Sequence, residues 1–328
     1  MSGWRPVSTD AQPRTYDDVD GWRAYQRYLP PDLRVMGAVR PIETRWERPG
    51  MSVHLDEWDV TGSTLTVVAL HGAGGHGRLV ASFCLAVQHA GYRAVAPDLP
   101  LFGLTDVEDR AAVRYADWVE LAADLAERES ARGPVVLFGA SIGGRLAYDA
   151  AVVAAARGVD VAGVVATNLL DPRDPQVRRA SARNAVLAAL SPVLARLPAS
   201  LKRAAVPMSM TTRLSRMSAA PGLAKACARD RQGGGTRAPL SFLLDWLASP
   251  PAAEPEDFQA CPVLLAHPAD DRWTPAELSR RFADRISAPT RTILLENAGH
   301  FPVEQPGLDQ FREALTAFLN DAARPRVS

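Results

Sequence analysis

Cysteine is scarce in this sequence: three in 328 residues, at Cys84, Cys227 and Cys261. The number is odd, the spacing wide, and no C-x-x-C pair occurs. That argues against a disulfide framework and a zinc site, and it suits a reducing cytoplasm, the localisation expected here. Charge of either sign is not in excess, with 37 basic and 37 acidic residues. No global attraction to nucleic acid or to an anionic membrane follows from it. Long hydrophobic runs are missing as well. The most apolar stretch, Leu146 to Thr167, is broken by Asp149, Arg157 and Asp160, and does not read as a membrane span. The opening residues, MSGWRPVSTDAQPR, lack the apolar centre of a signal peptide. No internal repeat is found. What is present is a composition 47% hydrophobic and 23% charged, in a chain long enough to bury a large core.

The order of apolar runs gives the architecture. Met1 to about Asp20 is polar, with Pro6 and Pro13, and reads as a flexible arm; Gly21–Leu29 reads as a short helix with Trp22, Tyr25 and Tyr28 on one side. Glu43–Arg48 and Val53–Val60 suggest an antiparallel hairpin. From Leu65 the pattern becomes alternation of strands and helices: strands at Leu65–Leu70, Ala94–Ala96, Val135–Phe138, Val161–Thr167, Val263–Ala266 and Thr292–Leu295, with helices between them. This predicts an α/β fold, a doubly wound, mostly parallel sheet. Asp171 to about Glu254 shows no convincing strand. Its helical pieces are interrupted by Pro192, Pro198, Pro207, Pro221 and Gly233-Gly234-Gly235. The layout expected is an N-terminal arm and short helix over residues 1–40, a core formed by 41–170 and 255–322, a helical cap insertion over 171–254, and a loose tail over 323–328.

The stretch with most chemistry is GPVVLFGASIGGRLAYD, residues 133–149. A buried strand ends in Gly139-Ala140-Ser141-Ile142-Gly143 and a helix follows. As a bare pattern G-x-S-x-G is weak, but between a strand and a helix it forms a nucleophile elbow that raises the Ser141 hydroxyl above the sheet edge. Serine is a poor nucleophile unless a base takes its proton. Of six histidines, His300 follows the last strand and so lies at the same carboxyl edge as Ser141. The base needs a carboxylate to orient it, and the strand Val263–Ala266 runs into Asp270-Asp271-Arg272-Trp273-Thr274-Pro275. The order Ser141, Asp271, His300 fits this architecture; Asp171, after an earlier strand, is the second candidate. Thr274 is expected to cap a helix whose first turn holds Pro275. Two backbone amides must receive a developing oxyanion: Ile142 at the helix start, and Ala73, or Gly74 one residue on, in the loop His71-Gly72-Ala73-Gly74-Gly75. The same glycine-rich loop has no lysine after it, which excludes a P-loop.

Five segments together carry a resemblance: HGAGG (71–75), PDLPLFG (97–103), GASIGG (139–144), DDRWTP (270–275) and NAGHFPVEQP (297–306). In this order and over about 65 to 320 the chain resembles the α/β-hydrolase superfamily, in particular serine hydrolases of the esterase, monoacylglycerol-lipase and S33-peptidase type. The resemblance implies Asp271, four residues before Pro275, as the orienting acid, and leaves Asp270 to cap a turn or face water. It also implies a helical cap over Asp171–Glu254. Leu101-Phe102-Gly103-Leu104-Thr105 departs from the family in lacking a serine, which leaves the substrate class open.

The expectation is a cofactor-independent serine hydrolase, metal-free, acting on a small acyl ester of apolar character. Gly72, Gly74, Met208, Met210 and Trp273 are the expected substrate contacts; Met208, Met210 and Met217 read first as residues that bury the cap against the core and second as a wall for an acyl chain. Arg196, Lys202, Arg203, Arg213 and Arg216 form either a solvated face or a reception for an anionic group. Amide, peptide or thioester cleavage and acyl transfer use the same parts. A ligand-binding protein that kept the fold without the activity is the alternative of another class. No nucleic acid and no integral membrane segment is expected; the oligomeric state is left open.

Overall fold

A computed structural model describes residues 14–183 and 193–324. The sequence expectations for residues 1–13, for Pro192 and for 325–328 lie outside these. The chain begins its sheet with a hairpin, β1 (Ile42–Arg48) and β2 (Met51–Trp58), closed by Pro49-Gly50 with Gly50 at φ 76°. Then come β3 (Thr66–Leu70), β4 (Arg93–Pro97), a two-residue β5 (Asp106–Val107), β6 (Val135–Gly139) and β7 (Val161–Ala166). After a long excursion containing β8 (Ala205–Pro207) and β9 (Arg237–Pro239), the sheet ends with β10 (Val263–Pro268) and β11 (Thr290–Leu295).

The main sheet has the order β1-β2-β4-β3-β6-β7-β10-β11, with β5 paired to β2. β2 runs against its neighbours, and from β4 to β11 the ladder is parallel. Such central strands are buried on both faces, so they read as continuous apolar runs: TVVAL in β3, VVLFG in β6, VAGVVA in β7. Side chains alternate between two cores. Val67, Ala69, Val136 and Phe138 join the helices α1 (Ala81–His89) and, late in the chain, Gly307–Ala322; Val68, Leu70, Val135 and Leu137 join α2 (Tyr115–Ser130) and α3 (Ile142–Ala156). The chain turns to one side after β3 and to the other at β6, so a crevice opens between the carboxyl ends of these two strands. Ligands bind at such switch points.

The excursion from Asp171 to Glu254 contains α4 (Pro175–Ser181), α5 (Pro221–Arg229), α6 (Leu240–Ala248) and shorter turns. The absence of strand expected there is corrected: β8 and β9 form a small antiparallel ribbon with three residue pairs, too short to show a pattern. Its two ends are clamped together by Arg173, which donates to Asp171 (2.8 Å) and to Glu254 (2.7 and 2.9 Å). α7 (Ala276–Ala283) and α8 (Gly307–Ala322) complete the layers.

The polar stretch up to Asp20 does not form a loose arm over its described residues. Tyr16 is fully buried and its hydroxyl donates to both oxygens of Asp98, at 2.9 Å each. The helix expected over Gly21–Leu29 is a single turn, Arg23–Gln26, with Trp22 and Tyr25 buried beside it. Under this strap lies a network of buried charge. His54 stands between Asp98 (3.2 Å) and Glu43 (2.8 Å), and Arg78 donates to Asp56 and Glu43. Burial pulls the His54 pKa down, but Asp98 and Glu43 outweigh it and raise it to about 9. The folded value lies above the ordinary 6.5, so His54 contributes stability that is full below that pH and is lost as pH rises through about 9. Unfolding free energy from urea titrations should therefore fall between neutral pH and about pH 9–10, and His54→Gln should flatten that fall.

Candidate active site

The elbow follows from steric closeness. Ser141 adopts φ 58°, ψ −126°, between β6 and α3, a conformation costing of order 1–3 kcal/mol for a residue with a side chain. It is held by its amide donating to Thr167 Oγ1 (3.0 Å) and by its carbonyl accepting from Gly144 (2.9 Å). Gly72 of the neighbouring loop comes equally close: a Cβ there would stand 2.9 Å from Ser141 Cβ.

The carboxyl ends of five parallel strands bring the expected residues together. Ser141 Oγ donates to His300 Nε2 at 2.8 Å, and His300 Nδ1 donates to Asp271 Oδ2 at 2.7 Å. Asp271 is buried and heavily solvated by protein. Its Oδ1 accepts from the amides of Trp273 (2.8 Å) and Thr274 (2.9 Å), and its Oδ2 from the Thr274 hydroxyl (2.8 Å) and Asn168 Nδ2 (3.1 Å). Burial would raise its pKa, but His300 and these donors hold it well below the usual carboxylate range. Asp270 is exposed, and its amide donates to the Ala298 carbonyl. Asp171, the second candidate, is engaged by Arg173 and lies 3.9 Å from Arg145. Thr274 does not cap the following helix as expected: its hydroxyl goes to Asp271, and Pro275 occupies the cap position.

Two histidines beside the site are kept neutral. His71 Nδ1 donates to the Gly72 carbonyl (2.8 Å) and Nε2 accepts from the Leu99 amide (3.0 Å), while burial lowers its pKa to about 4. It thereby fixes the shape of the loop that carries Ala73. His267 donates to the Pro268 carbonyl and accepts from Asn168 (3.0 Å), and burial again lowers its pKa. The amides of Ala73 and Ile142 have no protein acceptor among the described residues, and both residues border the same cavity as Ser141. Gly74, at φ 72°, packs on Gly234 and lines no cavity beside Ser141.

Two cavities meet at Ser141. One, of about 100 Å³, is walled by Leu240, Phe242, Leu243, Leu244 and Leu247 of α6 together with Trp273. The other, of about 30 Å³, lies on the His300 side between Gly72, Leu214, Met217 and Phe301. Of the methionines expected to form a wall, Met217 borders the small cavity, whereas the expectation for Met208 and Met210 is corrected. Met208 is fully buried in the core and Met210 is 62% exposed, and neither borders a cavity at Ser141. Trp273 does, its ring 4.6 Å from that of His300. Sequence reasoning missed Thr167, Asn168 and α6. The last had a signal, since SFLLDWLA is apolar on nearly every side and a helix of that kind is buried all round.

A model of the alpha/beta hydrolase family matches residues 67–312. The chain belongs to this family. Among solved structures, this hydrolase-family chain is similar to the monoacylglycerol lipase of Paleococcus ferrophilus, at 22% identity and a TM-score of 0.62, over 82% of this chain and 99% of that one. A soluble variant of the monoglyceride lipase of Saccharomyces cerevisiae, in complex with a substrate analogue, gives 15% identity and 0.68, over 89% and 98%. A thermostable carboxyl esterase of Bacillus coagulans, in complex with glycerol, gives 15% and 0.65, over 86% and 99%. At these identities the likeness concerns the fold. No curated protein matches the sequence. Among the described residues no helix is long and apolar enough to cross a membrane.

The donors around Asp271 set up a test of this site. Asn168→Ala removes one of them, and labelling of the protein by a fluorophosphonate should slow by about ten- to a hundredfold with the fold unchanged by circular dichroism, the loss of one hydrogen bond to a charged group being worth roughly 1.5–3 kcal/mol. Unchanged labelling would make Asn168 a packing residue only.

Proposed function

We propose that this protein hydrolyses carboxylic esters through an acyl-enzyme on Ser141, with His300 as general base and acid and Asp271 as the carboxylate that orients it. The observation that carries the reading is the unbroken chain of hydrogen bonds from Ser141 through His300 to Asp271 (2.8 and 2.7 Å) at the mouth of an apolar cavity. The fold it shares with lipases and an esterase supports it further.

In this reading His300 Nε2 takes the Ser141 proton as Oγ attacks the acyl carbonyl, and the imidazolium is stabilised by Asp271. The amides of Ala73 and Ile142, already without acceptors, receive the oxyanion at no cost in reorganisation. His300 then gives its proton to the leaving alcohol and takes one from water as the hydroxide attacks the acyl-enzyme; as the acid leaves, His300 returns that proton to Ser141 Oγ. The α6 cavity takes the acyl chain, whose burial is worth about 0.8 kcal/mol per methylene. The segment from Asp171 to Glu254 then acts as the cap that excludes water from it.

Ser141→Ala and His300→Ala should each remove nearly all turnover of p-nitrophenyl esters, by up to ~10⁶-fold, and the double variant should be little worse, because the members act as a unit. Asp271→Asn should cost on the order of 10⁴ in kcat by misassigning the imidazole tautomer, against less than about tenfold for Asp270→Asn. Additive losses, or the larger loss at Asp270, would overturn the assignment. Leu243→Trp should shorten the preferred acyl chain across a series of these esters while sparing acetate; matched amides and thioesters in the same assay define the bond.

A further inference from the structure

Charge is divided along this chain although its sum is zero. Between Asp171 and Glu254 stand thirteen basic and five acidic residues, a net of +8, and the remainder carries 24 basic against 32 acidic. Such asymmetry creates a local field that the total conceals. Within the excursion, a cleft of about 590 Å³ is bordered by Arg183, Arg213 and Arg216, with Ser209, Thr212 and Ser215 between them.

These arginines are fixed by main-chain carbonyls. Arg183 donates to Ser209 O, Arg213 to Ala182 O (2.9 Å) and Arg179 O (3.1 Å), and Arg216 to Arg272 O (3.0 Å). Among the described residues none of the three is in an ion pair with a carboxylate. Each therefore keeps its charge uncompensated, and a guanidinium has five N–H donors, so donors are left over. The cleft also adjoins the site. Thr212 is shared with the apolar cavity and Leu214 with the small one beside His300. The same segment is tied to both loops of the site, at Arg272 beside Asp271 and through Met217 O, which accepts from the Phe301 amide (2.8 Å) beside His300. Its charge thus stands on the side where His300 would release the leaving group.

We propose that the cleft binds a phosphate group carried by the leaving alcohol, so that the substrate is an acyl ester of a phosphorylated alcohol. This rests on the hydrolase reading of Ser141 and specifies its substrate class. A phosphate monoester is close to a dianion with three acceptor oxygens, and arginine meets it with paired donors at fixed geometry.

Octanoylglycerol and octanoylglycerol 3-phosphate, used below their micellar concentrations, separate the possibilities. The phosphate ester should show a kcat/KM at least about tenfold higher, a difference that shrinks as salt screens the cleft. Arg183→Gln and Arg213→Gln should each reduce that kcat/KM by about tenfold, in line with one charge-assisted contact, and leave the neutral ester within about twofold. Equal kcat/KM for the two esters, or an equal loss on both in the variants, would overturn the proposal. A binding measurement keeps it apart from catalysis: Ser141→Ala protein should bind sn-glycerol 3-phosphate in calorimetry, and Arg213→Gln in that background should abolish the heat. No binding there overturns the phosphate site even if Ser141 drives turnover. Binding with turnover that survives Ser141→Ala supports the site and overturns the hydrolase reading instead. Affinity of the wild type for phosphatidylglycerol vesicles, without preference for the soluble phosphate ester, would assign the charge to a lipid surface and overturn the proposal.

Discussion

Helix α3 passes back over the end of β6 with no room for a side chain between them. A Cβ on residue 139 would stand 1.9 Å from the Gly143 carbonyl oxygen, one on residue 143 would stand 2.5 Å from Leu70 O, and one on residue 144 would stand 2.0 Å from Asn168 O. Three glycines satisfy one constraint, and its far ends are the carboxyl termini of β3 and the residues just after β7. The position of Ser141 is therefore set by the two neighbouring strands as much as by its own. That is why a strained backbone at one residue can persist: the sheet over-determines it.

The same neighbours hold Asp271 in place. Thr167 accepts the Ser141 amide and donates to Asn168 Oδ1 (2.9 Å), while Asn168 Nδ2 reaches Asp271. Hydrogen bonds thus close a ring from the serine amide through Thr167, Asn168, Asp271 and His300 to the serine hydroxyl. Thr167, Asn168, Asp271 and His300 are buried, so an unmade bond among them would leave a desolvated polar group at a cost of roughly 1–3 kcal/mol. Such a ring is fully made or fails as a unit, which favours a single geometry over several near ones.

The parts legible in the sequence were those in which a local pattern and its chemistry coincide. Ser141 and Asp271 each follow an apolar strand buried on both faces, His300 follows the half-exposed edge strand β11, and in a parallel sheet strand ends share an edge. The central strands, buried on both faces, announced themselves as runs of valine, leucine and alanine. What stayed hidden depends on which face meets which. Tyr16 sits among aspartates and threonines, and only the distant Asp98 explains its burial. Met208 and Met210 lie two apart in the same short stretch, yet one is in the core and the other in water, so composition could not say which wall they form. The pairs of β8 and β9 come from residues some thirty positions apart, with three residues each to give them away. Asn168 carries no motif at all; its partners arrive from a loop a hundred residues later.

Arg173 fixes where the excursion between β7 and β10 leaves the sheet and where it returns. By holding Asp171 and Glu254 in one grip, it lets the chain leave the core and return at nearly the same place. Whatever lies between these points adds to the closure entropy only logarithmically, about 0.6 kcal/mol for each doubling of length. The ring of hydrogen bonds around Ser141 contains no residue of that detour, which meets the loops of the site at Arg272 O and the Phe301 amide. The same grip would thus close a detour of another length or content, with the ring beneath it left as it is.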